Sequence, residues 1–292
     1  CCKAKTQSKP AIPSMEIDLL SVLRLRQRGD YDRMGTVKNC CDPRERLSSF
    51  EPGSGRNKRR NNMAYTKQSL KQDLAAMGLT GAETILIHSS MKSIGEVEGG
   101  ADTVLDALME YFAQGLLLLP THTWRFMDGG NTVFDVRHSP CCVGILPELF
   151  RQRPGVIRSL HPTHSMAAYG KDAAAYLAGE LETSTPCAPG GCYDRLRTAH
   201  GKILLLGVTH ARNTFIHSVE EVLNVPHRLT DKPLKLTVVD EAGESHTAYM
   251  RRHYNADQPH ISEDFIKLEQ AYLDCGAAQN TKFGDAKCIF SG

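Results

Sequence analysis

From Met63 onward, apolar positions follow two spacings. Ile85-Leu86-Ile87, Leu116-Leu117-Leu118-Leu119 and Ile203-Leu204-Leu205-Leu206 are unbroken runs too short for a stable helix, the pattern of strands covered on both faces. Between the first two, Ala101, Val104, Leu105, Leu108 and Tyr111-Phe112 recur at helical spacing, with Asp102 and Asp106 on another face, which predicts a helix over 99–114. Thr66 is expected to cap a helix that runs to about Met77. Further strands are expected over 84–88, 116–119, 166–170, 202–207 and 287–291. Further helices are expected over 144–153 (Ile145, Leu146, Leu149 and Phe150 inward), over 172–181, from Asn213 or Thr214 to Val225, and over 262–275. Runs at 235–240 and 245–251 frame a turn and predict a hairpin. Residues 121–143 are polar and irregular, a length of loop that usually carries function. Strands alternating with helices predict an α/β layered fold, a central mixed, partly parallel sheet flanked by helices, with the hairpin as its mixed element.

Residues 1–62 break this pattern. One short amphipathic helix over 15–25 is the exception in a stretch rich in breakers and charge, ending Arg59-Arg60-Asn61-Asn62 before Met63. The stretch carries 14 Lys and Arg against 7 Asp and Glu, and the rest of the chain 21 against 26, so an overall +2 divides into +7 and −5. A basic arm suggests nucleic acid. The preferred reading is an upstream leader outside the fold, with Met63 as the start of the folded domain over 63–292. No nucleic-acid or membrane partner is expected: no run approaches the apolar length of a membrane span, and the first residues lack a signal-peptide core, so a cytoplasmic location follows by default.

Candidate chemistry gathers after the strands. His88-Ser89-Ser90, Thr121-His122-Thr123-Trp124 and Thr209-His210 follow strand ends, where ligands of α/β sheets commonly sit. Arg158-Ser159-Leu160-His161-Pro162-Thr163-His164-Ser165 places two histidines around a proline that disfavours helix, so His164 lies on a stiff approach to a strand and is a candidate general base. Its orienting acid is sought in Glu220 or Glu221, with Asp135 and Glu148 behind them. His161, His164 and His217 are a metal alternative that needs a carboxylate and an open position. The ten cysteines, several in adjacent pairs, lack zinc-knuckle spacing and are expected as reduced thiols. No Gly-x-Ser-x-Gly elbow, nucleotide P-loop or Gly-x-Gly-x-x-Gly is present.

Eight segments taken in order carry a resemblance. They are His88 to Gly95, Val97 to Val104, Pro120 to Thr123, Phe134 to Pro140, Val143 to Arg151, Arg158 to Ser165, Thr185-Pro186-Cys187 and Asn213 to Glu221. Together they resemble the aminoglycoside 3-N-acetyltransferase family, the antibiotic N-acetyltransferases outside the GNAT fold, densely over about 66–225. The resemblance implies an acyltransferase that moves acetyl from acetyl-CoA to a 3-amino group of an aminoglycoside, conferring antibiotic resistance, without a metal. It implies His164 as base, and Glu220 and Glu221 as its partners or as holders of the cationic substrate. Ser89, Ser90, Met91, Lys92, Ser93, Ile94, Gly95 and Thr163 would line the acetyl-CoA path. His122, Trp124, Asp135, Glu148, Glu220 and Glu221 would meet the substrate, with Asp128 as a further acidic wall, and the −5 of the body agrees with an acidic cleft for a polycationic acceptor. Alternatives are transfer to a non-aminoglycoside amine, or an inactive relative that binds CoA or cations. Relatives continue past the last strand, so a C-terminal truncation is expected.

Overall fold

In the computed structural model, residues 64–254 and 261–292 are described; the expected leader over 1–62, its helix over 15–25 and the start at Met63 lie outside them. In chain order the elements are α1 (Lys67–Ala76), β1 (Thr84–Ser89), α2 (Gly100–Tyr111), β2 (Leu116–Pro120), β3 (Val133–Asp135), α3 (Ile145–Phe150), β4 (Ile157–Arg158), β5 (Met166–Gly170), α4 (Ala173–Leu177) and α5 (Cys192–Thr198). They continue with β6 (Lys202–Leu206), α6 (Phe215–Val222), β7 (Leu234–Val239), β8 (Ser245–Met250), a 3-10 helix (Ile261–Leu268), α7 (Glu269–Asp274), β9 (Ala278–Phe283) and β10 (Ala286–Ser291).

Thr66 caps α1 as expected. Its hydroxyl accepts the Ser69 N–H at 3.1 Å and Ser69 Oγ accepts the Thr66 N–H at 3.0 Å, so a reciprocal pair satisfies two otherwise unbonded donors. The three apolar runs become β1, β2 and β6, which lie side by side and parallel at the centre of a seven-stranded sheet. Its order is β4-β5-β2-β1-β6-β10-β9, and every pairing outside the central three is antiparallel. On α2, Val104, Leu105 and Leu108 are fully buried, each burial contributing about 1.5–3 kcal/mol relative to exposure. The chain leaves β1 for β2 on one side and later returns to β6 on the other. The loops that follow β1 therefore face a crevice at the strands' carboxyl ends.

The sheet is mixed, but not through the hairpin. β7 and β8 pair antiparallel in a separate three-stranded sheet, with β3 parallel to β7 through Phe134↔Val238. Phe134, Val136, Met127, Val238 and Ala248 form its own small core. The irregular stretch 121–143 thus contains a strand whose partner lies 104 residues on, a pairing no local period reveals. β4, β9 and helix α5 were likewise not expected from the sequence. Ile145 is half exposed while Leu146 and Phe150 are buried, because α3 is only six residues long and turns Pro147 inward instead. The helix expected over 262–275 is split, 3-10 first and α only from Glu269. Among the described residues no helix is long and apolar enough to cross a membrane.

Candidate active site

At the carboxyl ends of β1, β2 and β6 lies a cavity of about 540 Å³. His88 and Ser89 come from the end of β1, His122 and Trp124 from beyond β2, and residues 211–214 from beyond β6. His164 stands in its wall.

The 158–165 segment is held by its neighbours. The ladder between β2 and β5 continues past both strands, Thr121 N–H to Ser165 O at 2.8 Å and Thr123 N–H to Thr163 O at 3.0 Å. Beneath it, the buried Arg158 guanidinium donates to Ser139 O (2.6 Å), Thr121 O (2.7 Å) and Ser165 Oγ (3.1 Å) and stacks on Phe134. One cation so joins three loops around His164, and burial pushes its pKa down to about 10. His161 Nδ1 accepts the backbone N–H of His164 (2.9 Å) and of Thr163 (3.2 Å), so the proton of this neutral ring sits on Nε2, which donates to Thr185 O at 3.1 Å. Both its nitrogens are spent on shaping the turn. That removes His161 from the metal alternative, and among the described residues no three His, Cys, Asp or Glu side chains are placed so that they could hold a metal ion together.

His164 Nδ1 lies 3.1 Å from Thr163 Oγ1. In the tautomer that carries its proton on Nδ1, His164 donates to Thr163 Oγ1. The Nε2 lone pair of His164 is then available for a substrate proton. Around it stand other imidazoles: His122 at 4.6 Å, His161 at 6.0 Å and His253 at 6.1 Å between ring centroids. Burial first, then the mutual repulsion of these rings when charged, holds His164 and His122 well below the ordinary 6.5. Burial likewise takes His88 down to about 3, and His217 down to about 4. His88, His122, His164 and His217 thus present neutral imidazoles to the cavity.

The two glutamates of α6 do not reach His164. Glu221 Oε1 accepts His253 Nε2–H at 2.6 Å and the Cys187 N–H at 2.9 Å, so the Thr185-Pro186-Cys187 segment serves to hold this carboxylate. Glu220 Oε2 meets His217 Nδ1 at 2.9 Å, and Arg228 grips both its oxygens at 3.0 Å. Burial pushes both carboxyls up, but these partners outweigh it and leave them ionised below the usual range. Asp135 is turned to His138 and to the N–H groups of its own loop, and Glu148 to Arg151 and Cys141 N–H; neither lines the cavity. Asp128 caps its own turn through Gly130 and Asn131 N–H. The expected acidic cleft is therefore corrected. Among the described lining residues the charged groups are Arg125, Arg212 and Arg252 against Glu263.

A family model described as aminoglycoside 3-N-acetyltransferase matches residues 86–291, well over half of the chain. The chain belongs to that family. Aminoglycoside N(3)-acetyltransferase VII of Streptomyces paromomycinus is 32% identical over 186 residues, covering 58% of this chain and 64% of the relative. Aminoglycoside N(3)-acetyltransferase IX of Micromonospora chalcea is 33% identical over 178 residues, 55% and 63% respectively. The chain thus matches just under two thirds of the length of these relatives. Among solved structures, aminoglycoside acetyltransferase AAC(3)-Xa superposes with a TM-score of 0.67 at 27% identity, over 78% of this chain and 88% of that one. AAC-IIIb, solved as a binary complex with CoASH, superposes with 0.68 at 23% identity, over 78% and 92%, which supports the shared fold.

Within this 3-N-acetyltransferase fold, the expected acetyl-CoA segment divides sharply. Ser89 lines the cavity, whereas Ser90, Met91, Lys92, Ser93, Ile94 and Gly95 do not. Ile94 is fully buried in the main core. Ser93 Oγ donates to Gly207 O, and a Cβ on Gly207 (φ +68°) would come within 2.4 Å of Ser93 Cβ, so this segment braces the β6 loop. Gly95 (φ +91°) lets the backbone pass Asp285, whose carboxylate a Cβ would meet at 2.4 Å. Thr163 does line the cavity, yet its hydroxyl belongs to His164. His122 and Trp124 line it as expected, and His122 Nε2 is 2.5 Å from Tyr193 OH, on the helix α5 that went unforeseen.

The sequence also did not single out His253 or Arg228, which lie in regions without periodicity or motif, nor Ser262, read only as the start of a helix. Five buried polar side-chain atoms lack a hydrogen-bond partner among the described residues; three of them, His88 Nε2, Ser89 Oγ and His253 Nδ1, belong to lining residues. Buried polar atoms are ordinarily paired, so these are sites for a ligand's polar groups. Three arginines at the same cavity match a ligand that carries phosphates.

Proposed function

We propose that the protein transfers acetyl from acetyl-CoA to an amine, a 3-amino group of an aminoglycoside, with His164 as general base. The observation that carries this reading is a neutral His164 whose Nδ1 is held by Thr163 and whose other nitrogen is left for a proton, in the cavity at the parallel strands' carboxyl ends. The donor supplies a thioester carbonyl. An ammonium has no lone pair for that carbonyl, so His164 Nε2 takes a proton from the amine, and the imidazolium formed keeps its Nδ1–H on Thr163. Ser89 Oγ is an unpartnered hydroxyl available to the carbonyl oxygen as charge develops there. Arg125, Arg212 and Arg252 are the cations for the donor's phosphates. Membership of the family supports acceptor and donor alike, and resistance to aminoglycosides would be the consequence in a cell that expresses it.

Thiol release from acetyl-CoA, followed with and without an aminoglycoside, tests the reading. Amine-dependent release, lowered on the order of 100-fold or more in His164→Ala, is the expected result. Release that His164→Ala leaves intact would put the base elsewhere. The cationic lining favours a second reading, a less cationic or partly anionic amine as acceptor, which predicts faster turnover with such an amine than with any aminoglycoside.

A further inference from the structure

His253 lines the cavity on a loop far along the chain from His164 and brings its own carboxylate. A β-bridge to Leu229 fixes its backbone, and its side chain is only 8% exposed. Glu221 is ionised and can only accept, so the His253 proton sits on Nε2 and donates to Glu221 Oε1 at 2.6 Å. Nδ1 keeps its lone pair, buried and without a hydrogen-bond partner among the described residues. A lone pair repels phosphate and carbonyl oxygens and accepts from N–H or O–H, so the ligand group that meets Nδ1 is a donor. A proton taken there leaves an imidazolium against the Glu221 carboxylate, the arrangement that steadies a charged ring. Between ring centroids, His217 on α6 stands 4.2 Å from His253 and His164 stands 6.1 Å away. Glu220 holds His217 from behind, and Arg252 and Glu263 line the same cavity.

An ammonium has two protons to lose on its way to an amide, one before the C–N bond forms and one as it forms. We infer that His253, backed by Glu221, takes the first, so that the acceptor is bound as the ammonium and becomes the free amine inside the cavity. The second belongs to the bases of the transfer step, His164 and the Glu220-held His217, which line the same cavity. Two acceptors each about 2.8 Å from one tetrahedral nitrogen are about 4.6 Å apart. Rings centred 6.1 Å apart allow that spacing, so one ammonium can donate to His253 and His164 together. The ammonium gives a proton to His253 Nδ1. The freed lone pair forms the bond to the thioester carbonyl carbon, and the C–S bond breaks. The second N–H proton passes through the transfer bases to the departing thiolate, and His253 returns its proton to water. The sum is ammonium plus thioester to amide plus thiol plus one proton, with no other reactant. The inference rests on the amine-transfer reading above and divides the proton work that it gave to His164.

The test follows thiol release from acetyl-CoA by the full chain with an aminoglycoside acceptor, and reads kcat/KM for the acceptor against pH. His253→Gln keeps an amide that donates to Glu221 and removes the base. At about pH 6.5 it should lower kcat/KM on the order of 100-fold. The loss should then shrink by about tenfold per pH unit as free amine appears in solution, and most of it should be gone by about pH 9. Glu221→Gln, which keeps an acceptor for Nε2–H and removes the charge, should show the same slope with a smaller loss. If circular dichroism shows His253→Gln to be poorly folded, the slope in Glu221→Gln decides. No loss at about pH 6.5, or a loss by the same factor at every pH in the folded variant, overturns the inference and leaves the transfer reading standing. A wild type that releases no thiol in response to the amine at any pH overturns the transfer reading, and the inference with it.

Discussion

His164 owes its competence as a base to being kept uncharged. Burial and the imidazoles of His122, His161 and His253 depress its pKa well below 6.5, so the neutral form dominates at pH 6, where an ordinary histidine is largely protonated. The acid limb of kcat against pH is accordingly expected well below 6.5; a limb at 6.5 or above would mean that another group is titrating. Its tautomer depends on Thr163, the only side chain within hydrogen-bond distance of its Nδ1 among the described residues. Thr163→Val keeps the shape and removes that acceptor. The expected result is kcat lower by about 10- to 100-fold with KM for acetyl-CoA nearly unchanged. A rise in that KM with kcat intact would instead make Thr163 a donor-binding residue, as the resemblance implied.

At the scale of elements, the site depends on how three loops are tied. Arg158 on the two-residue β4 gives its guanidinium to the loops after β2, after β3 and before β5, all through neutral acceptors. Arg158→Met would leave several buried carbonyl groups without a donor and is expected to cost about 3 kcal/mol or more, measured by denaturant unfolding. Activity should fall further than stability alone accounts for, because His164 is on one of the released loops. β1, β2 and β6 were legible because a parallel strand covered on both faces is a continuous apolar run. β3, β4 and β9 were not: β3 is a three-residue strand whose partner β7 lies far along the chain, β4 has only two residues, and β9 is largely exposed, so none carries a continuous apolar run. α5 was hidden similarly: its seven residues have too few turns for a period, yet they supply Tyr193 to His122.

For the molecule as a whole, the neutral histidines set a limit on acid stability. His88, His122, His161, His164, His210 and His217 all have depressed pKa values, chiefly through burial. Below about 6.5 the unfolded chain binds protons that the folded chain refuses. The stability these groups allow is complete above 6.5 and is lost as pH falls toward the folded values, by up to about 1.4 kcal/mol per pH unit for each histidine. Unfolding followed by circular dichroism is expected to begin near pH 5, and a fold that persists unchanged at pH 4 would contradict this neutral cluster. Net charge, by contrast, was a poor guide at this scale. The −5 of residues 63–292 suggested an acidic cleft, but the carboxylates of Asp128, Asp135, Glu148, Glu220 and Glu221 are all engaged with protein groups, while arginines line the cavity.

The sequence by itself determined the α/β class, the three central strands, the capped first helix and the stretch that carries His164. Each rests on local physics: a continuous apolar run, a helical period, a capping hydroxyl, a proline that stiffens its approach. Tertiary structure alone decided which partner each titratable group has. Glu220 went to His217 and Arg228, Glu221 to His253, and Thr163 rather than a carboxylate to His164. Strands carry a readable period along the chain, but a buried charge takes whichever partner the fold brings into hydrogen-bond reach, and His253 lies beyond α6 in sequence with no pattern of its own.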